Sequence, residues 1–230
     1  MSFIKIKNLD LKFTITGPDK KSIRNLFKPK KNKKDKLVHA LRNINLEIND
    51  GDKIGLIGTN GAGKSSLLRI MSQIYEPTSG TCEINGEYNA LLENDAGLQL
   101  DGDIIDNIYI LLLLRGFNYS EIKNKIDWII DFSELTFALN RPVRTFSTGM
   151  IIRMITTIMI CNKPKILILD EFFGTADKNF SDKLNLEFSK QIKKSGIFIC
   201  ASHNHELLRR LCNRFIEIEK GQIISDRPAL

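Results

Sequence analysis

The chain has 230 residues, an apolar fraction of 42% and a formal net charge of +7. This length suits one large domain or two small ones, and no apolar run approaches the roughly 18 residues of a membrane span. Residues 20–36 hold nine Lys and Arg against Asp35, so the rest of the chain sums to −1, unlike a uniformly basic nucleic-acid binder. Cys82, Cys161, Cys200 and Cys212 form no C-x-x-C pair and read as reduced, buried thiols. The first residues, Met1-Ser2-Phe3-Ile4-Lys5, lack the apolar core of a signal peptide.

Phe3 to Lys7 and Leu11 to Ile15 alternate as two half-buried strands. Phe13 is a candidate for stacking on a nucleotide base, with a core phenylalanine as the plain alternative. Gly17-Pro18 breaks the pattern, and Ser22 to Phe27 suggests a short amphipathic helix. The lysine-rich run Lys28 to Lys34 that follows cannot bury itself. It reads as a solvated loop or as a contact with an anionic membrane surface. Leu37 to Ile48 resumes a strand and ends at the Asn49-Asp50-Gly51-Asp52 turn.

The next stretch carries the strongest signal. Gly58, Thr59, Asn60, Gly61, Ala62, Gly63, Lys64 and Ser65 match G-x-x-x-x-G-K-[ST], the phosphate-binding loop. An apolar strand, Lys53 to Ile57, precedes it, and a helix running on from Ser66 to Met71 follows, as the motif requires. Glycines let backbone N–H groups converge on a polyanion, and the helix N-terminus adds partial positive charge. Lys64 would reach the β- and γ-phosphates, Ser65 would hold Mg2+, and Ser66 completes the nucleotide contacts. Thr81 to Gly86 reads as an edge strand with a tight turn.

From about residue 95 to 163 the pattern turns helical, with helices expected at Ile104 to Leu114, Tyr119 to Ile130, Glu134 to Asn140 and Thr148 to Cys161. Ser147 is a good N-cap for the last of these, and Gly149 permits close backbone approach. Strands return at Lys165 to Leu169, Gly196 to Cys200, Phe215 to Glu219 and Gln222 to Ser225. Helices between them, Asp182 to Lys193 and His203 to Cys212, make βαβ units and a parallel sheet. Ile166 to Leu169 delivers Asp170 and Glu171 to the strand's C-terminal end, where ligands bind in such sheets. Asp170 would take Mg2+ and Glu171 would polarise an attacking water. His203, after the strand ending at Cys200, could hydrogen-bond a γ-phosphate; His205 reads as structural.

Taken together, these pieces resemble an ATP-binding cassette ATPase over essentially the whole chain. Its phosphate loop, signature (Phe146 to Met150), acidic strand and switch histidine stand in family order and spacing. The resemblance implies an α/β fold: a P-loop NTPase (RecA-like) core with an antiparallel β subdomain and an inserted α-helical subdomain. The expected division is 1–94 with 164–230 for the core, carrying a basic insertion at about 17–36, and 95–163 for the helices. It further implies that Asp177 lies in the dimer-contact loop and that Gln99 links Mg2+ and water to the helical insertion.

In such cassettes ATP and Mg2+ lie between the phosphate loop of one copy and Ser147, Thr148 and Gly149 of a second, head to tail. Phe-Ser-Thr-Gly-Met replaces the common L-S-G-G-Q. This departure, the basic segment, and Ser202-His203-Asn204 with the following helix are similar to the branch exporting lipid-linked polysaccharides. That branch implies an integral membrane permease as partner, a lipid-linked glycan as cargo, and a peripheral position at the cytoplasmic face of the bacterial inner membrane. Ending at Leu230, the chain is expected to lack the carbohydrate-binding domain of some O-antigen exporters, so the cargo expected is a capsule-type chain or an O-antigen handled without that domain. The alternatives are a non-transport family member acting on ribosomes or nucleic acid, or a transporter ATPase for another substrate. Non-transport members usually carry two cassettes or a long coiled-coil insert, so no nucleic-acid partner is expected.

Overall fold

A computed structural model describes residues 1–15, 36–92, 97–161, 164–170, 178–202 and 204–229. The lysine-rich run, the suggested helix at 22–27, and Glu171, Asp177 and His203 lie outside the described residues.

Two long antiparallel strands open the fold, β1 (Phe3–Ile15) and β2 (Lys36–Asn49), in register from Phe3↔Asn49. The two short strands expected within residues 3–15 are one bulged strand. Its register shifts between Ile6 and Leu9, where Asn8 takes φ 47°, and β2 answers with Asn43 at the same φ. Asparagine tolerates this left-handed geometry, so each strand absorbs an irregularity without ending. β3 (Lys53–Ile57) leads into α1 (Lys64–Met71), and β4 (Ser79–Asn85) then pairs with β1, giving a sheet of order β2-β1-β4.

The larger sheet is built from β3 and five further strands. These are β5 (Tyr88–Leu91), β6 (Ile166–Asp170), β7 (Ile197–Ala201), β8 (Arg214–Glu219) and β9 (Gln222–Pro228). Their order is β5-β6-β7-β3-β8-β9, parallel except for β9. β5 has no counterpart in the sequence reading. Its buried polar Asn89, whose amide donates to Met159 O at 3.5 Å, interrupts the apolar run that would have marked it.

The apolar runs of β6 and β7 are explained by burial on both faces. Ile166, Ile168, Ile197 and Ile199 pack with α1 and the antiparallel sheet, whereas Leu167, Leu169, Phe198 and Cys200 face the helices on the other side. Each of these side chains is at most 2% exposed, so each isoleucine, leucine and phenylalanine among them contributes about 1.5–3 kcal/mol of transfer free energy.

The helices are α2 (Ile104–Leu113), α3 (Tyr119–Ser133) and α4 (Thr148–Ile160) in the insertion, then α5 (Lys178–Lys194) and α6 (His205–Leu211). Capping boxes start α2 (Asp103 with Asp106) and α3 (Asn118 with Glu121). A helix was expected over Glu134 to Asn140. Instead Glu134 ends α3 in a left-handed conformation, φ 59°, and a single 3-10 turn, Thr136–Ala138, follows. Glu134 pairs there with Arg153 at 2.9 Å and Lys183 at 3.2 Å, so tertiary ion pairs favour the chain reversal over helix propensity. Among the described residues, no helix is long and apolar enough to cross a membrane.

Candidate functional site: a phosphate-loop cleft

The loop between β3 and α1 turns sharply because its glycines permit it. Gly58 takes φ 152° and packs its Cα face against β8: a Cβ added there would lie 2.3 Å from Ile218 O. Gly63 takes φ 116° as N-cap of α1 and offers no side-chain cap. The backbone donors of the first turn therefore remain for a ligand. Cross-links hold the loop in shape: Ala62 N donates to Thr59 O at 3.1 Å, Gly221 N to Ala62 O at 2.8 Å and Arg42 N to Gly221 O at 2.7 Å. Lys64 is 6% exposed, and its Nζ donates to Gly58 O at 2.8 Å and Thr59 O at 3.1 Å.

A cleft of about 920 Å³ opens over this loop, lined by Asn60 to Ser66 and Asp170, with Phe13 and His39 from the antiparallel sheet. Phe13 is half-buried and meets Tyr75 edge-on at 5.4 Å. The structure thus brings together Phe13, the phosphate loop and Asp170. Leu92, His39, Arg42, Lys220 and Gly221 also line the cleft and were not named from the sequence. They come from distant segments, so no local spacing marks them.

His39 is held by Asp10, Nε2 to Oδ1 at 2.8 Å. Asp10 also accepts from Asn43 N at 3.1 Å and Ser79 Oγ at 3.0 Å. These bonds, His39's foremost, hold its carboxyl below the usual value.

Ser147, Thr148 and Gly149 lie apart from this cleft's lining. Ser147 caps α4, its Oγ accepting from Met150 N at 3.3 Å. Ser147 and Thr148 are exposed while Phe146, at 8%, anchors the turn in the core. Nothing lies closer to a Cβ at Gly149 than Ser147 Oγ at 3.9 Å, so the turn presents open backbone. Gln99 also stands away from the cleft. It is exposed, and Asn107 bonds its N–H at 2.8 Å and its C=O at 2.9 Å, tying that backbone to the start of α2.

Two of the four cysteines are buried, Cys200 and Cys212; Cys82 and Cys161 are half-buried, a correction to the expectation for those two. Burial pushes Cys82 and Cys161 up to about 11 and Cys212 up to about 12, and raises Cys200 well above its ordinary value.

The cleft fits a nucleotide with a hard cation. It offers inward backbone donors, a lysine already spanning the loop, and two oxygen ligands, the Ser65 hydroxyl and the Asp170 carboxylate. Fold and cleft together define a phosphate-loop NTPase. The ABC transporter family model matches residues 41–174, and the chain belongs to that family as an ATP-binding cassette ATPase.

Among its relatives is the O-antigen export system ATP-binding protein RfbE of Yersinia enterocolitica, 42% identical over 82% of this chain and 79% of that one. Another is the teichoic acids export ATP-binding protein TagH of Staphylococcus epidermidis, 35% identical over 96% and 82%. Against two further relatives, from Myxococcus xanthus and Lactococcus lactis, the chain spans only 43% and 41% of their length. Among solved structures, a dimeric post-hydrolysis state of the ATP-binding cassette MJ0796 with ADP and Pi superposes with TM-score 0.77, covering 99% of both chains at 18% identity. The expected α/β architecture, with its antiparallel sheet and inserted helices, is the one observed.

Proposed function

We propose that the chain is the ATP-hydrolysing subunit of an exporter that moves a lipid-linked polysaccharide, of O-antigen or capsule type, across the bacterial inner membrane. It works with a separate integral membrane permease and sits at the cytoplasmic face through that contact. The observation that carries this reading is the 42% identity, over about four-fifths of both chains, to an O-antigen export ATP-binding protein. The teichoic acids export relatives favour the same broad class of cell-envelope glycopolymer.

In this reading the α1 N-terminus and Lys64 bind the triphosphate, and Phe13 stacks on the base. Ser65 and Asp170 hold Mg2+, which when bound offsets phosphate charge. Glu171 accepts a proton from the attacking water, and His203 hydrogen-bonds the γ-phosphate. A second copy completes the site, its Ser147, Thr148 and Gly149 aiming the α4 N-terminus at the γ-phosphate while Asp177 lies in the contact between copies. That the exposed Ser147–Thr148 turn stands outside its own cleft supports this division of labour. ATP then favours the closed pair through contacts the open pair lacks, and hydrolysis removes them.

Two measurements test the reading. In cells lacking the protein, lipid-linked glycan should accumulate inside and surface glycan should vanish, restored by the wild type but not by Lys64→Ala; undiminished surface glycan would refute the export role. Glu171→Gln should keep ATP binding while losing nearly all turnover, and a normal rate would exclude Glu171 as the base.

A further inference from the structure

Glu134 closes α3 at φ 59° and ψ 35°, a left-handed position that glycine fills without strain. Its carboxylate is shared between two other helices. Oε2 accepts from Arg153 Nη1 of α4 at 2.9 Å, and Oε1 accepts from Lys183 Nζ of α5 at 3.2 Å. Both cations also sit on aromatic rings. The Arg153 guanidinium lies 4.8 Å from the Phe180 ring centre, and Lys183 Nζ lies 4.5 Å from that of Phe132 while donating to Phe132 O at 2.9 Å. Phe132 and Phe180 meet edge-on at 6.2 Å. One side chain thus ties the end of α3 to α4 and α5 at once.

Stability does not account for this arrangement. The Glu134 side chain is 48% exposed, and ion pairs in such a setting contribute little, whereas a left-handed glutamate carries a backbone cost. What the bridge supplies is direction. Apolar packing between helices has no preferred orientation, but a carboxylate with one oxygen on each cation, and a guanidinium seated over a ring, do. Ser147 caps α4, and Arg153 lies roughly one and a half turns further on, about 9 Å along the axis from the exposed Ser147–Thr148 turn. On the other side, α5 connects β6, the strand that ends in Asp170, to β7.

We infer that Glu134 is a positioning residue for turnover: by bridging Arg153 to Lys183 it sets the angle at which α4 presents Ser147, Thr148 and Gly149 to the nucleotide of a second copy. The inference rests on the paired-copy reading above. Glu134 lies apart from the nucleotide cleft's lining, so it acts through α4. Misplacing the Ser147 turn slows hydrolysis without altering how a single copy holds nucleotide in its own cleft.

The test compares variants of the full chain. Glu134→Gly removes the carboxylate and leaves a residue suited to φ 59°, so its melting temperature should stay within about 2 °C of wild type and its ADP affinity should be unchanged. Its kcat should nonetheless fall about tenfold or more. Lys183→Gln should lower kcat through the α5 arm alone, and the double variant should lose no more than Glu134→Gly, because both changes break one bridge. Lys183→Arg can still donate to the carboxylate and should keep most of the rate. A purely structural role would instead lower melting temperature and ADP affinity together. If Glu134→Gly melts early, Lys183→Gln carries the comparison with the α3 backbone untouched. Ser147→Ala is the reference. If it slows turnover while folded Glu134→Gly and Lys183→Gln do not, or if ADP affinity falls in step with kcat, or if the two losses add in the double variant, the inference is overturned and the paired-copy reading stands. If Ser147→Ala also turns over at the wild-type rate, both are overturned.

Discussion

Replacing Gly58 by Ala puts the phosphate loop under a load that can be worked out. The new Cβ would lie 2.3 Å from Ile218 O and 3.2 Å from the Ala62 Cβ. Ordinary C···O contacts start near about 3.3 Å, so loop and strand must separate by roughly 1 Å. Ile218 has little freedom to move, being 1% exposed and paired with Ile223 of β9. Holding an L-residue at φ 152° adds a backbone penalty of about 1–3 kcal/mol, and forced crowding adds about 1–3 more. A mid-range total of about 4 kcal/mol corresponds to a fall of roughly 8–16 °C in melting temperature for a chain of this size.

The shift would also pull Gly58 O away from Lys64 Nζ, now 2.8 Å apart, so ATP affinity should fall as well. Gly61→Ala is the control. Its φ is +76°, but a Cβ there meets nothing within 4 Å, leaving only the backbone penalty. Thermal melting with and without Mg2+-ATP reads both effects. If Gly58→Ala melts within 2 °C of wild type, or no lower than Gly61→Ala, the close-approach reasoning fails.

Ser147 offers a second separation of stability from ligand contact. Ser147→Ala should cost about 1 kcal/mol by removing the cap on Met150 N, whereas Ser147→Gly should cost only a few tenths. Both should impair turnover if the hydroxyl contacts the partner's nucleotide; full turnover in the glycine variant would argue against that contact. The raised thiols give a pH dependence. Folded Cys82 and Cys161 titrate near 11 and Cys212 near 12, above an unfolded value of about 8.5, so the stability they contribute is complete below that value. It is lost as pH rises through 11 to 12, so denaturation midpoints should fall steeply above about pH 9. Alkylation of the folded protein at pH 8 should run at least about a hundredfold slower than for free cysteine, and rapid labelling would contradict the burial argument.

Short-range chemistry was legible in the sequence wherever one element carries the whole signal. Gly58 to Ser65 needs only a strand before it and a helix after it, and Ser147 needs only the helix it caps. The two-sided burial of β6 could be read from its unbroken apolar run. β5 was invisible because it is short and its Asn89 finds its partners far along the chain, the amide donating to a carbonyl from α4 70 residues away. The turn at Glu134 was missed because its ion pairs reach Arg153 and Lys183, and local propensity reports neither.

By itself, then, the sequence determined the class of chemistry, since a phosphate-binding loop is a backbone shape dictated by glycines at set intervals. The chain order of strands and helices, and so an α/β fold, followed from hydrophobic periods of 2 and 3.6. Tertiary structure alone decided that Phe13, His39 and Asp170 share one cleft while Ser147 and Gln99 stand outside it. Distances between remote segments depend on how sheets and helices fill space together, and close packing of that kind leaves no periodic trace along the chain.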